Sequence, residues 1–168
     1  GGTGVTGTRK RIAKADLQEV NTILNRQDIP MSDRFGLITA DMLEDFFLID
    51  EFANSDYNAR KPYAEGQPET FYFMGINWFV RSSANVFSNA GTPALKAKTA
   101  NTAATDNNGA LIWQRDYVRR AEGSVQTFVD ASSPLYYGDV LSALVRAGGI
   151  GARKDGKGIV NLVEAAGA

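Results

Sequence analysis

The sequence predicts an α+β fold class, on the mix of two kinds of periodicity within a chain of one-domain length. Ala13, Leu17, Val20 and Leu24 recur at helical spacing, and a second helical run follows Thr39, a good N-cap. Short aromatic and β-branched runs at 35–38, 70–81, 110–113 and 159–163 read as strands lying between and after these helices. No fixed period recurs, so a repeat architecture is excluded. A chain of 168 residues suits a single domain that buries about two thirds of its surface, enough for a core without metal or disulfide staples.

Residues 1–8, GGTGVTGT, are too rich in glycine and threonine to pack, and read as a flexible lead-in or tag remnant. Gly1, Gly4 and Gly7 match a nucleotide-loop spacing, but such a loop needs a preceding strand to aim it, and none precedes. The chain opens on glycine, so it is expected to be processed, tagged or excised from something longer. From Arg9 the pattern turns helical, with Arg9, Lys10, Arg11 and Lys14 crowding the end where the helix dipole favours acids. A solvated face explains them better than a phosphate contact. Asp28-Ile29-Pro30 ends the helix, because proline pushes its predecessor out of the α region.

Ser32-Asp33-Arg34 is a turn, Phe35 to Ile38 a short strand, and 40–53 a helix capped by Thr39 with Asp41 in its first turn. Met42, Leu43, Phe46, Phe47, Ile49 and Phe52 cover more than one stripe, which implies contact on two sides. Residues 54–69 form a loop punctuated by Pro62, Gly66 and Pro68. The run from Thr70 to Arg81 is a strand broken near Gly75. Its aromatics suit core packing rather than a stacking platform for single-stranded nucleic acid, since only Arg81 supplies nearby positive charge. Residues 84–109, rich in Ala, Asn, Thr and Gly, read as an extended excursion with a short edge strand, best ordered by a partner. After the strand 110–113, residues 114–130 fit either a helix, with Val118, Ala121, Val125 and Phe128 on one face, or further strand. Gly123 weakens the helix. Ser132-Ser133-Pro134 is a turn, Gly156 and Gly158 fit turn positions with positive φ, and 159–163 is the closing strand.

Composition removes most chemistry. The chain has no histidine and no cysteine, which excludes the common zinc sites, Ser-His-Asp and Cys-His triads, redox pairs and disulfides. Residues 1–69 carry 8 basic and 12 acidic groups and residues 70–168 carry 10 and 7, so neither half has the basic surplus of a nucleic-acid-binding domain. No apolar run is long enough to span a membrane. Asp41, Glu44 and Asp45 gather carboxylates on one helix, a pattern of solvation and dipole matching rather than of two acids facing across a cleft. Asp50, Glu51 and Asp56 lack calcium-loop spacing, and Ser82-Ser83 lacks a paired lysine. Arg115, Arg119 and Arg120, with Arg146 and Arg153, make the later region positive; Arg115 and Arg119 would share a face if their segment is helical. Such arginines suit bidentate pairing with carboxylates of another subunit, and equally suit a solvated face.

Four ordered segments carry a resemblance. They are Asp28-Ile29-Pro30 through Ser32-Asp33-Arg34 into the strand Phe35 to Thr39 and helix 40–53; Met74 to Ser83; Ala110 to Arg115; and Gly151 to Lys154 followed by Gly158 to Leu162. In this order, across most of residues 12–163, they resemble the major capsid proteins of tailed bacteriophages. The resemblance implies an HK97-like core, truncated in that only the glycine-rich lead precedes the first helix where the family has an N-terminal arm and an extended loop. Residues 9–168 would then be the A domain with part of the P domain. It further implies a non-enzymatic subunit without cofactors, self-associating as pentamers and hexamers in the full-length protein. The icosahedral shell encloses DNA that this region touches only indirectly, in a virion assembled in the host cytoplasm with no membrane contact. Asp41, Glu44 and Asp45 of one subunit would face Arg115, Arg119 and Arg120 of its neighbour. The alternatives are an encapsulin-like compartment, a tail or other virion-associated oligomeric module, and a carboxylate-dependent hydrolase setting Asp41 or Glu44 against Asp116 or Asp139.

Overall fold

The computed structural model describes residues 10–53, 69–82, 84–103, 105–133, 135 and 138–164. The lead-in 1–8, Arg9, most of the loop 54–69 and Pro134 lie outside the described residues. The first helix, α1, runs from Lys14 to Arg26 and buries Leu17, Val20 and Leu24, the stripe its spacing predicts. It begins later than the sequence pattern suggests. Asp16 accepts a hydrogen bond from the Ala13 N–H at 2.8 Å, supplying an acid to the first turn and leaving Lys10 and Arg11 ahead of the helix.

A buried arginine fixes the exit from α1. Arg34, only 3% exposed, opens β1 (Arg34–Thr39). Its guanidinium donates to Asn21 Oδ1 at 3.0 Å, Asn25 Oδ1 at 2.7 Å, and the Pro30 and Ile29 carbonyls at 3.0 and 2.8 Å. The planar fork thus ties helix, turn and central strand together, and burial pulls its pKa below the usual arginine value.

Thr39 caps α2 (Ala40–Phe46), its Oγ1 accepting from the Met42 N–H at 3.3 Å. The helix expected over 40–53 is broken: a turn follows Phe46 and a short α3 covers Asp50–Ala53. Geometry explains the break. Six residues of straight helix leave side chains about 120° apart around the axis and ~9 Å apart along it, yet Phe46 and Phe52 enter the same aromatic cluster, their ring centroids 5.8 Å apart. Only a bend at 47–49 lets both do so.

The strands β2 (Thr70–Phe73), β3 (Ile76–Arg81), β4 (Asn85–Phe87), β5 (Asn107–Gln114) and β10 (Ile159–Val163) join β1 in a sheet of order β10-β5-β1-β3-β2, with β4 on the edge of β5. β1 and β3 run parallel and the other neighbours antiparallel. The expected break near Gly75 is the tight β2–β3 turn, with Met74 and Gly75 both at positive φ. Helices cover one sheet face, where Ile38, Ile76, Trp78, Ala110 and Ile112 pack on Leu17, Val20, Met42 and Phe46. Trp78 lies over Gly36, its cross-strand neighbour, where any Cβ would collide with the indole.

The excursion 84–109 is tied within the chain: Lys96 N–H donates to Val86 O at 2.9 Å, and Lys96 Nζ pairs with Asp106 at 2.6 Å. Residues 114–130 resolve as strand. After a 3₁₀ turn at Arg115–Tyr117 come β6 (Val118–Glu122) and β7 (Gln126–Ser133), which pair with β9 (Ala147–Gly151) and β8 (Gly138–Leu144). The two ladders follow one another, bridged by the Gly123 N–H to Arg146 O bond at 2.8 Å. Together they make one two-stranded arm, about 50 Å long at ~3.4 Å per residue. The turn beyond it has the expected positive φ at Gly156 and Gly158, and Gly158 N–H donates to Gln27 Oε1 at 3.1 Å.

Candidate assembly surfaces

The charged residues singled out in the sequence lie on two separate elements. Asp41 and Glu44 sit on the outer side of α2, one turn apart and exposed. Asp45 does not join them at the surface. It is 1% exposed, accepts from the Ile12 N–H at 3.1 Å and faces Arg11 Nε at 3.9 Å, so it anchors the segment entering α1. Arg115 lies exposed at the base of the arm, its N–H donating to Asp33 O at 3.1 Å. Arg119 and Arg120 lie exposed on β6, and Arg120 forms an ion pair with Glu122 two residues along. Arg115 and Arg119 share no helical face, because the segment is a 3₁₀ turn followed by strand; Arg119 and Arg120 project to opposite faces of the arm.

Sequence reasoning passed over an exposed apolar surface on the arm. On the arm, Val129 stands opposite Leu141 and Thr127 opposite Ala143 on one face, with Val125 and Val145 just beyond. Val129 is 65% exposed and Leu141 76%. Phe128, Leu144 and Ile150 are also exposed. The signal was present in the alternative of further strand over 114–130; of the expected Ser132-Ser133-Pro134 turn, Ser132 and Ser133 instead end β7, and Pro134 lies outside the described residues.

A second apolar surface is the sheet face turned away from the helices. By strand alternation it carries Phe35 and Leu37 of β1, Phe79 of β3, Leu111 and Trp113 of β5, and Ile159 of β10, all half-buried. The Phe35 ring lies 6.0 Å from Phe79 and 6.0 Å from Trp113, an aromatic row across three strands. A sheet with one wet face normally alternates apolar and polar residues, whereas β1 and β5 are apolar on both faces. A shallow groove of about 570 Å³ opens here between Phe35, Tyr72, Asn77 and Phe79.

These surfaces are broad, flat and apolar, and do not concentrate reactive groups. Among the described residues no cluster of three or more metal-ligating side chains is arranged to hold an ion, and no helix is long and apolar enough to cross a membrane. Asp116 and Asp139, the acids considered for hydrolysis, lie on the 3₁₀ turn and on the arm, both exposed. The sequence matches the family of phage capsid proteins over residues 1–161. The chain belongs to the phage capsid protein family.

Two solved structures share the capsid chain's fold. One, from Mycobacterium phage Che8, superposes with a TM-score of 0.59 at 12% identity, covering 95% of this chain and 52% of the other. The second, a capsid structure of the cyanophage P-SCSP1u, gives 0.60 at 19% identity, covering 92% and 46%. The capsid chain therefore spans about half the length of these two proteins. Its α+β fold resembles the HK97-like capsid core. No curated protein matches the sequence at a significant level.

Proposed function

We propose that the chain is part of a subunit that self-assembles into the icosahedral shell of a tailed bacteriophage, enclosing packaged DNA. The match to phage capsid proteins over residues 1–161 carries this reading. The exposed arm and the apolar sheet face support it, since a shell subunit needs extended contact surfaces rather than a pocket. In this reading residues 9–168 form the A domain with part of the P domain, and 1–8 are a lead-in. Pentamers and hexamers form in the full-length protein, within a virion assembled in the host cytoplasm, and the DNA is contacted only indirectly.

Within that shell, Asp41 and Glu44 of one subunit face Arg115, Arg119 and Arg120 of its neighbour, a rim of opposite charges that sets register more than affinity. Asp45 is engaged inside its own chain and positions α2 rather than contacting the neighbour. Electron microscopy of the full-length gene product tests the reading: closed shells are expected, and a protein that never forms them overturns it. Charge reversal by Arg119→Glu with Arg120→Glu is expected to impair assembly while leaving the monomer folded by circular dichroism. Unimpaired assembly of that variant would remove the arginines from the interface.

A further inference from the structure

The turn between β9 and β10 contains a reactive peptide bond that its own geometry requires. Gly156 and Gly158 sit at φ of +68° and +83°, a region that favours glycine. Asp155, ahead of them, accepts from the Lys157 N–H at 3.2 Å through Oδ1, the bond by which an aspartate closes a tight turn two residues on. Turn chemistry thus sets a glycine directly after an aspartate. A Cβ at Gly156 would meet nothing within 4 Å, so the bond lies open. We infer that Asp155-Gly156 is a site of spontaneous succinimide formation and isoaspartate conversion, and that Arg153 restrains it. The Gly156 nitrogen attacks Asp155 Cγ, the new C–N bond closes a ring, and the nitrogen's proton departs with the side-chain hydroxyl as water. Water then opens the ring. Attack at Cγ restores aspartate, and attack at the main-chain carbonyl leaves the backbone running through Cγ as isoaspartate. This holds whatever the chain assembles into.

Both reacting groups are held by Arg153. Its Nε and Nη2 donate to Asp155 Oδ1 and Oδ2 at 3.1 and 2.7 Å, a bidentate fork that fixes the carboxylate plane. Its carbonyl accepts from the Gly156 N–H at 3.4 Å, which engages the attacking nitrogen. The hydroxyl leaves from the neutral acid. The Arg153 guanidinium, helped by the Lys157 N–H and ammonium, holds the Asp155 carboxyl below the usual carboxylate range and keeps that neutral form scarce. Arg153 in turn lies over the Tyr117 ring, its guanidinium carbon 5.9 Å from the centroid. Asn108-Gly109 is the contrast, an intrinsically faster pair set inside β5. Asn108 O accepts from the Glu164 N–H at 3.0 Å, Gly109 is paired with Asn85 and Val163, and Phe87 fills the space a Gly109 Cβ would need. Strands on both sides deny that backbone the rotation ring closure requires. Conversion at Asp155 adds a methylene to the turn that ties the base of the arm to the core. There Gly158 N–H donates to Gln27 Oε1 and Gly158 O accepts from the Gln114 N–H, both at 3.1 Å.

The test ages the purified chain in mildly acidic buffer and reads isoaspartate at each position by isoaspartyl methyltransferase labelling with peptide mapping. Wild type, Arg153→Gln and a synthetic peptide of residues 150–160 are compared, with circular dichroism showing that both chains stay folded. Conversion at Asp155 is expected in all three and fastest in the peptide. It should run about two- to fivefold faster in Arg153→Gln than in wild type, the reach of an exposed ion pair. Added salt should speed wild type and leave Arg153→Gln unchanged, because only the former has an attraction to screen. Arg153→Lys keeps the charge without the fork, and a smaller acceleration is expected there; it replaces Arg153→Gln if glutamine unsettles the turn. Asp155→Glu should abolish the signal at this position, since its longer side chain closes a larger ring far more slowly. Equal rates in wild type and the Arg153 variants overturn the inference. So does conversion at Asn108 in place of Asp155, and so does a chain whose Asp155 stays unconverted in every variant while the peptide reacts.

Discussion

Arg34 and Asp45 show how single buried polar groups hold the helical layer to the sheet. Among the described residues Arg34's hydrogen-bond partners are uncharged, two asparagine side chains and two carbonyls, so aligned dipoles solvate its charge. Lysine preserves the charge but cannot reproduce the fork. Arg34→Lys is expected to lower stability by about 2–4 kcal/mol in urea unfolding, through the acceptors it leaves unpaired. A loss within experimental error would show that water replaces the guanidinium freely. Asp45 was legible as one of three carboxylates on a helix but not as a buried acceptor, because its partner, the Ile12 N–H, is 33 residues away. Spacing along α2 distinguishes the solvent-facing acids from the inward one only once the other side of the contact is known.

Among the elements, those with strong local signals were readable. The helical stripe of α1, the Thr39 cap and the closing β10 each follow from a few adjacent residues. The arm was not, since Val118, Ala121, Val125 and Phe128 imitate a helical face while belonging to strands exposed on both sides. With no buried face there is no period-two pattern for the sequence to display. The segment between β4 and β5 behaves differently, because a charge closes it. Asp106 accepts from Lys96 Nζ and from the Ala103 N–H at 2.7 Å, and these bonds hold its carboxyl below the usual carboxylate range. Since the folded pKa is depressed, this contribution is full above the ordinary value of about 3.9 and is lost as pH falls through the lower folded value. Amide exchange at Ala103, corrected for its intrinsic pH dependence, should therefore accelerate at acid pH before the central sheet opens. Protection lost together with β1 and β5 would mean that the segment is no independent unit.

At the scale of the molecule, a two-layer core carries an arm that contributes little to that core. Trypsin should cut the chain first after Arg119, Arg120 and Arg146, all exposed on the arm. Cleavage first within the two-layer core would show that the arm is the better protected part. Replacing residues 124–145 by a two-residue turn should likewise leave the thermal midpoint of the core within a few degrees, because little apolar burial is removed. A collapse of that midpoint would show that the arm braces the core. The arm departs and returns at one paired position, Val118 opposite Gly151, so the sheet does not register how many residues lie between them. Arm length is thus free to vary, but in steps. Each residue added to both strands extends the reach by about 3.4 Å and turns the outer side chains over. Only additions in twos per strand keep Val129 and Leu141 on their present face of the arm, so a change of length that preserves its two faces comes in increments of about 7 Å. The hairpin acts as a ruler graduated by the pleat of its own backbone.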